Sequence, residues 1–184
     1  TASQQKPSGL LRISAPLAAQ TGFMCNMINE FLDQYPDVSV KVVLTDDVVN
    51  LIDEGIDVAF RAGKLKDSSL VARKLGSTRL VLCASPGYVR RASPLAAPKE
   101  LKQHTCILYG DAKKHLSWLL ERREEQLSVP VSGRVTVNSM QFALHSCLSG
   151  LGVALLPHAT VKAYLDSGEL QHLLPEYSSN IGGF

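Results

Sequence analysis

The chain has 184 residues, of which 45% are hydrophobic and 20% are charged, and this composition is typical of a soluble globular protein with one domain or two small ones. Its formal net charge of +2 is too small to predict a nucleic-acid-binding surface, because such domains concentrate Lys and Arg on one face. No stretch approaches the roughly 20 apolar residues of a membrane span, and no secretion signal is present. We therefore expect no membrane partner.

The predicted elements of the first half alternate between strand and helix. Residues 1–9, TASQQKPSG, are polar and rich in turn formers, which predicts the end of a linker. Hydrophobic periodicity and helix stop signals then predict a strand at 11–14, a helix at 23–35 ended by Pro36, a strand at 38–47, a short helix at 48–54 closed by Gly55, a strand at 57–63 and two further strands between 70 and 86.

The second half repeats the alternation without a clear sequence repeat. The patterns predict a strand at 106–110, a helix at 116–123, a strand at 133–139, a helix ending at Leu148, a strand at 152–157 and a helix at 160–166. Repeated strand and helix steps favour parallel sheets with right-handed crossovers. We expect two small α/β halves, and a single larger sheet is the alternative.

Motifs for catalysis and for cofactor binding are absent from the sequence. It contains no G-x-S-x-G, H-E-x-x-H, G-x-x-x-x-G-K-[ST] or G-x-G-x-x-G motif. His145 and Cys147 lie two positions apart on a predicted helix, where side chains do not face each other. The Gly-rich segment SGLGVALLP is explained by a helix C-cap at Gly150 before a buried strand. We therefore predict no catalytic residue, no metal site and no cofactor.

Four cysteines are spread along the chain at Cys25, Cys83, Cys106 and Cys147, with neither a C-x-x-C pair nor a His at metal-ligand spacing. Free cysteine packs like a small hydrophobic residue. We interpret all four as buried thiols in a reducing compartment, and a regulatory thiol or a disulfide is the alternative.

Polar or turn-forming residues follow several predicted strands, at the edge where open α/β sheets bind ligands. They are Ser14-Ala15-Pro16-Leu17, Thr45-Asp46-Asp47, Arg61-Ala62-Gly63 and Val137-Asn138-Ser139. The turn after the first strand precedes a helix, so its N–H groups offer a place for an anion.

Each of these residues also has a purely structural interpretation. Asn138 is a good N-cap, and Gln141, three residues on, resembles the second residue of a capping box. Asp46 is suited to cap the helix at 48–54, and Arg61 is expected to pair with a carboxylate. Their shared position at strand ends nevertheless favours a ligand site.

Several segments occur in the order and spacing of a known family. GLLRISAP, FLDQYPDVSVKVVLTD, LIDEGIDVAFRAG, SSLVARKLGSTRLVLCASPGYV and GLGVALLP together resemble the effector-binding, or regulatory, domain of LysR-type transcriptional regulators. The resemblance runs from about residue 8 to residue 174. The family usually continues beyond NIGGF with another strand and a helix.

The resemblance implies an α/β fold of two Rossmann-like subdomains with a ligand cleft between them, as in type II periplasmic binding proteins. It implies bounds of 10–84 and 173–184 for the first subdomain and 85–172 for the second. A cytoplasmic regulator of this kind binds a small-molecule effector, often an organic or aromatic acid. It associates with itself as a dimer, or as a tetramer at full length, and contacts DNA only through an N-terminal winged helix-turn-helix domain, which these 184 residues do not contain.

Family effector positions correspond to the strand ends identified above. The residues they imply as ligand contacts are Ser14, Ala15, Pro16, Leu17, Ala18, Ala19, Thr45, Asp46, Arg61, Ala62, Gly63, Asn138 and Ser139. Helix-terminal donors, a guanidinium group and an amide suit a small carboxylate better than a cation. An extracytoplasmic solute-binding protein of the same fold is the alternative function, and the four cysteines and the lack of a secretion signal speak against it.

Overall fold

The computed structural model describes residues 6–19, 22–45, 53–61, 71–110 and 117–183. The chain divides into two compact units, residues 1–67 and residues 68–184. Among the described residues, no helix is long and apolar enough to cross a membrane. Each unit has its own sheet and its own hydrophobic core, so each is described by itself.

The first unit is a small parallel sheet with a helix packed against it. Its elements are β1 (Gly9–Ala15), a 3-10 turn (Leu17–Ala19), α1 (Gly22–Gln34), β2 (Val38–Leu44) and β3 (Val58–Ala59). Both neighbours of β1 are parallel to it, in the order β2-β1-β3. The sequence prediction of β1, α1 and β2 is therefore confirmed to within a few residues.

The core of the first unit forms where α1 covers β1. Ile13, Ala15 and Met24 are buried there, and Met27 and Ile28 pack against them while remaining partly exposed. These apolar residues of α1 are spaced three or four apart, so they share one helix face. Burial of a large apolar side chain contributes roughly 1.5–3 kcal/mol, which is why this face of the helix turns to its own sheet.

The second unit is larger and mixes helices, a hairpin and a central sheet. Its elements are β4 (Ser77–Ala84), α2 (Pro86–Arg91), a 3-10 helix (Pro98–Gln103), β5 (Cys106–Tyr109), β6 (Ser117–Arg122), β7 (Glu125–Pro130), β8 (Val135–Val137), α3 (Met140–Leu148), β9 (Val153–Pro157), α4 (His158–Asp166), β10 (Gln171–Leu173) and β11 (Ser179–Gly183).

The central sheet of the second unit has the order β10-β4-β9-β5-β8, and β11 also pairs with β4. β5 is parallel to β8 and β9, as the sequence predicted. β4 is antiparallel to β9, β10 and β11, so the expectation of purely parallel pairing is wrong for that part of the sheet.

Both faces of this sheet are buried, which explains the uninterrupted apolar run of β4. Leu82 and Ala84 contribute to a core cluster with α2 and the β6–β7 hairpin. Val81 and Cys83 point the opposite way, into a cluster with α3 and α4. Successive strand residues alternate between faces, so a strand covered on both sides has no polar positions to alternate with.

The helix predicted at 116–123 is wrong, because this segment forms a strand of an antiparallel hairpin. β6 pairs with β7 along its length, and Trp118 lies opposite Val129 in the register. Trp118 and Leu120 are buried whereas Leu119 is 45% exposed, which is the alternation of a strand. Arg123 turns the chain with a positive φ of 56°.

Two other predicted elements of the first half differ from the structure. Of the two strands expected between 70 and 86, β4 is the one that forms among the described residues. Residues 71–76 have no regular structure and join no sheet. The side chain of Val71 is fully exposed. Most of the helix predicted at 48–54 lies outside the described residues, and Gly55, predicted to close it, has a φ of +60°.

The Gly-rich segment after α3 has the structural role that the sequence predicted. Gly150 adopts a φ of +81° just beyond the helix, and its N–H donates to the Cys147 carbonyl at 2.9 Å. The next N–H, of Leu151, donates to the Ser146 carbonyl at 3.0 Å, which completes a Schellman motif. A Cβ at Gly152 would overlap the Thr105 carbonyl oxygen, so β9 begins with a close backbone approach.

The segments at the boundaries implied for the two subdomains, near Ala84 and near His172, run side by side. Gln171 lies opposite Ala84 and His172 lies opposite Cys83 in the β4–β10 pair. Both strands belong to the second compact unit. This division differs from the bounds 10–84 with 173–184 and 85–172, which remain a prediction for the regulatory subdomains.

Candidate ligand-binding site

The carboxyl edge of the first sheet brings together residues that lie far apart in the sequence. Ser14 and Ala15 end β1 and are completely buried. The N–H of Thr45, which follows β2, donates to the Ala15 carbonyl at 2.8 Å. The N–H of Phe60, which follows β3, donates to the Ser14 carbonyl at 2.8 Å. The strand ends predicted to converge in this half therefore do so.

Arg61 links the end of β3 to the end of β1 through its side chain. Its Nη2 donates to the Ser14 hydroxyl oxygen at 2.9 Å, and its Nη1 donates to the Phe60 carbonyl at 3.1 Å. The structural alternative predicted a carboxylate partner, but these two acceptors are uncharged. The two contacts orient the guanidinium group without neutralising its charge.

The turn that follows β1 is less open than the sequence suggested. Pro16 carries no N–H, and the N–H of Ala19 is used within the 3-10 turn, where it donates to the Pro16 carbonyl at 2.9 Å. The backbone of Leu17 and of Ala18 lies in the same turn. The donor best defined at this edge is therefore the guanidinium group of Arg61. Asp46, Ala62 and Gly63 lie outside the described residues.

The second predicted group lies at the start of α3, and its capping differs from the prediction. Ser139 is the N-cap, and its hydroxyl accepts the N–H of Phe142 at 3.3 Å. Asn138 is exposed one position earlier, so its assignment as the cap is wrong. The helix begins at Met140, which places Ser139 rather than Asn138 three residues before the N–H that needs an acceptor. Gln141 forms no capping box and instead contacts His145 Nε2 at 3.1 Å.

Tyr109 lies beside this group, and the sequence interpretation did not include it. It ends β5 opposite Val137, the last residue of β8, and its side chain is 39% exposed. The following N–H, of Gly110, donates to the Val137 carbonyl at 2.9 Å. The rule that selected Asn138 and Ser139, polar residues at the end of a parallel strand, selects the CILYG segment equally well.

The remaining titratable groups show no catalytic arrangement in the described part of the chain. His145 is exposed and Cys147 is completely buried, so they do not form a dyad. No cluster of three or more His, Cys, Asp or Glu side chains capable of holding a metal ion occurs among the described residues. Burial lowers the pKa of His172, and the neighbouring charges of His158 and Arg79 lower it further.

The prediction of buried thiols holds for three cysteines and is wrong for one. Cys83, Cys106 and Cys147 are buried, whereas Cys25 is exposed. Cys25 precedes Asn26 on α1, and both lie outside the apolar face that packs on the sheet. All four are free thiols.

Comparison with known proteins decides the family. A family model described as the LysR substrate binding domain matches residues 4–182, nearly the whole chain. The chain belongs to the LysR substrate-binding domain family. The resemblance inferred from the sequence is therefore confirmed.

Relatives of this LysR domain are transcriptional regulators by name. The HTH-type transcriptional regulator PtxR of Pseudomonas aeruginosa is 32% identical over 180 residues, which is 98% of this chain and 58% of that protein. The chain spans 58 to 59% of the length of the curated relatives that it matches.

Solved LysR regulators share the fold. The full-length virulence activator AphB of Vibrio cholerae superposes with a TM-score of 0.82 at 32% identity, covering 95% of this chain and 59% of that one. The regulatory domain of CrgA from Neisseria meningitidis has a TM-score of 0.82 at 26% identity, covering 95% of this chain and 89% of that one. The α/β fold is thus that of a LysR regulatory domain.

Proposed function

We propose that this domain senses a small organic or aromatic acid and thereby controls DNA binding by a longer, cytoplasmic LysR-type regulator. The family match and the regulator names of the relatives support sensing rather than catalysis. The same relatives favour a regulator over an extracytoplasmic solute-binding protein. DNA contact is assigned to an N-terminal winged helix-turn-helix domain outside these 184 residues.

The bond between Arg61 and Ser14 is the single observation that carries the proposal of an acidic effector. A guanidinium group presents its donors in a fixed fork that matches a carboxylate, and charge-assisted hydrogen bonds are roughly twice as strong as neutral ones. Arg61 is half-buried, and the two acceptors of its guanidinium group described above, the Ser14 hydroxyl and the Phe60 carbonyl, are neutral. A carboxylate at this strand end would meet a positive charge that is already oriented.

A second group of proposed effector contacts follows β8, in the second unit. Asn138 is exposed and offers an amide, and the hydroxyl of Ser139 keeps its own proton available while it accepts the N–H of Phe142. We add Tyr109 to this group because it ends the neighbouring parallel strand. An amide, a hydroxyl and an aromatic ring suit the uncharged part of an organic or aromatic acid.

Asp46 opposes a simple anion preference. Its carboxylate would repel the effector unless it caps a helix or accepts a hydrogen bond from a hydroxyl of the ligand. A hydroxylated acid therefore satisfies the residues assigned to this site better than an unsubstituted one.

A thermal-shift screen of carboxylic acids, with and without hydroxyl groups, tests the proposal. An acid at about one hundred times its Kd should stabilise the domain by roughly 2.7 kcal/mol. For a domain of this size the melting temperature should rise by roughly 5 to 11 °C. The Arg61→Gln variant should lose most of that shift because the charged donor is removed.

Arg12→Gln is the matched control, since Arg12 lies on the same strand as Ser14 but is exposed. It should keep the wild-type shift. Circular dichroism establishes that each variant is folded before the shifts are compared. An unchanged shift in Arg61→Gln with the best acid, or a screen in which no acid stabilises the wild-type domain, would contradict the proposed site.

A further inference from the structure

The second unit contains a cavity that includes none of the residues assigned to the effector. It has a volume of about 410 Å³ and lies between the start of α2 and the end of α3. Ser85 and Gly87 line it from the first side, Gly150 lines it from the second, and Glu169 lies at its border. This volume is within the range of small-molecule sites, roughly 300–1,000 Å³.

Three hydrogen-bond donors converge on Gly87, which has no side chain. The point where a Cβ would lie is 3.8 Å from Arg91 Nη1, 3.9 Å from Arg90 Nη2 and 4.0 Å from the Ser85 hydroxyl oxygen. A Cβ at Gly150 would be 3.2 Å from both Arg91 Nη2 and the same hydroxyl. Space for an atom therefore remains at Gly87, where two guanidinium groups and a hydroxyl meet, whereas the surroundings of Gly150 are tight.

Arg91 is held in place by uncharged partners. Its Nη1 donates to the Gly87 carbonyl at 2.7 Å, its Nη2 donates to the Gly150 carbonyl, and its guanidinium carbon lies 5.4 Å from the centre of the Tyr88 ring. Such a fixed fork needs little further ordering to bind an anion. The side chain thus joins α2 to the end of α3 and keeps its charge at the cavity.

Neither arginine has a carboxylate partner among the described residues. The ion pairs found there join Arg122 to Glu125 and Lys162 to Asp166. Two like charges close to one point repel each other, and a doubly charged anion between them removes that repulsion. Phosphate provides this charge and enough oxygen atoms to accept from both guanidinium groups.

Glu169 restricts the rest of the ligand. Its carboxylate accepts the Ser167 hydroxyl at 2.9 Å and contributes a negative charge at the border of the cavity. A second anionic group there would be repelled, whereas a hydroxyl group would donate to it. The cavity is also larger than phosphate alone requires.

We propose that this cavity binds a small hydroxylated phosphate monoester, with the phosphate between Arg90 and Arg91 and a hydroxyl group toward Glu169. This site is separate from the proposed acid-effector site and does not rest on it. It gives the domain a second small-molecule input.

Calorimetric titration of the 184-residue chain with inorganic phosphate, glycerol phosphate and succinate, at constant ionic strength, tests the proposal. Glycerol phosphate should bind more tightly than inorganic phosphate, and succinate should bind more weakly than either. Loss of one charge-assisted hydrogen bond in Arg90→Gln should raise the Kd for glycerol phosphate roughly ten-fold. Gly87→Ala should weaken binding as well, because its methyl group occupies the space between the donors.

Arg134→Gln is the control, since Arg134 is an exposed arginine of the same unit and does not line the cavity. It should bind as the wild type does. If Arg90→Gln fails to fold, Gly87→Ala tests the phosphate site instead. We expect this variant to fold, because the nearest atom to the added methyl is 3.8 Å away. The proposal is overturned if neither phosphate compound binds, if succinate or inorganic phosphate binds as tightly as the ester, if Gly87→Ala binds normally, or if Arg134→Gln is weakened equally.

Discussion

The buried cysteines of this domain differ in the groups that surround their thiols. Cys83 and Cys147 lie with their sulfur atoms 4.0 Å apart, and hydrogen bonding between them together with burial raises the pKa of Cys83. Burial raises the pKa of Cys106 to about 12. The thiolate is the reactive form of cysteine, so the raised pKa values of Cys83 and Cys106 make these two thiols unreactive near neutral pH. Cys25 is exposed on α1.

Thiol labelling should therefore modify one cysteine rapidly in the folded protein. With an alkylating reagent at neutral pH, we expect intact-mass spectrometry to show a single fast addition, at Cys25, and four additions after denaturation. Cys25→Ser should abolish the fast addition and leave the slow ones. Rapid modification of Cys83, Cys106 or Cys147 in the native state would contradict the burial described here.

At the residue scale, the sequence predicted positions better than partners. Parallel strand ends were enough to group Ser14, Thr45 and Arg61, because hydrogen bonding fixes where neighbouring strands end. The acceptor of Arg61 could not be predicted, since it depends on the register that places Ser14 beside Ala59. The one-residue error at Asn138 has another cause, because Asn and Ser are equally good N-caps and both stand before α3.

Among the elements, the β6–β7 hairpin shows how tertiary contacts override local pattern. The segment LSWLLERREE combines clustered leucines with charges, as many helices do. The buried pair of Trp118 and Val129 and the turn at Arg123 select a strand instead. By contrast, α1, α3, α4 and the strands around them were predictable, because each has a period or a stop signal that its neighbours also satisfy.

Two adjacent leucines of β6 provide a direct test of this hairpin. Leu120 is completely buried in the core cluster beside Trp118, whereas Leu119 points the other way and is 45% exposed. Leu120→Ala should lower the free energy of unfolding by about 2–5 kcal/mol. Leu119→Ala should change it by less than about 1 kcal/mol. Urea denaturation measures both, and equal losses would contradict the strand assignment.

At the scale of the whole molecule, the LysR family resemblance implies self-association, which needs apolar surface that the chain does not cover itself. On α1, Met24, Met27 and Ile28 pack on their own sheet. Apolar surface remains on the strands instead. Val42 is opposite Ile13 in the register and so lies on the face that α1 partly covers, yet it is 39% exposed. Leu44, on the same face, is 37% exposed.

The strand that carries these residues is also an edge of its sheet. β2 pairs only with β1 among the described strands, so its other side offers backbone groups for pairing. Exposed edge strands with apolar side chains associate readily unless something covers them. A second copy of the chain would cover both the edge and the apolar surface, and the LysR family resemblance implies that the domain associates with itself.

We therefore predict that the domain is a dimer or a higher oligomer at micromolar concentrations. Light scattering should give a mass of at least about twice 19.9 kDa. Val42→Glu should shift the mass toward the monomer, because a buried unpaired charge is costly at an interface. Ser39→Glu, on the opposite face of the same strand, is the matched control and should leave the oligomer intact. A monomeric wild type, or equal dissociation by both variants, would show that β2 does not form the contact between copies.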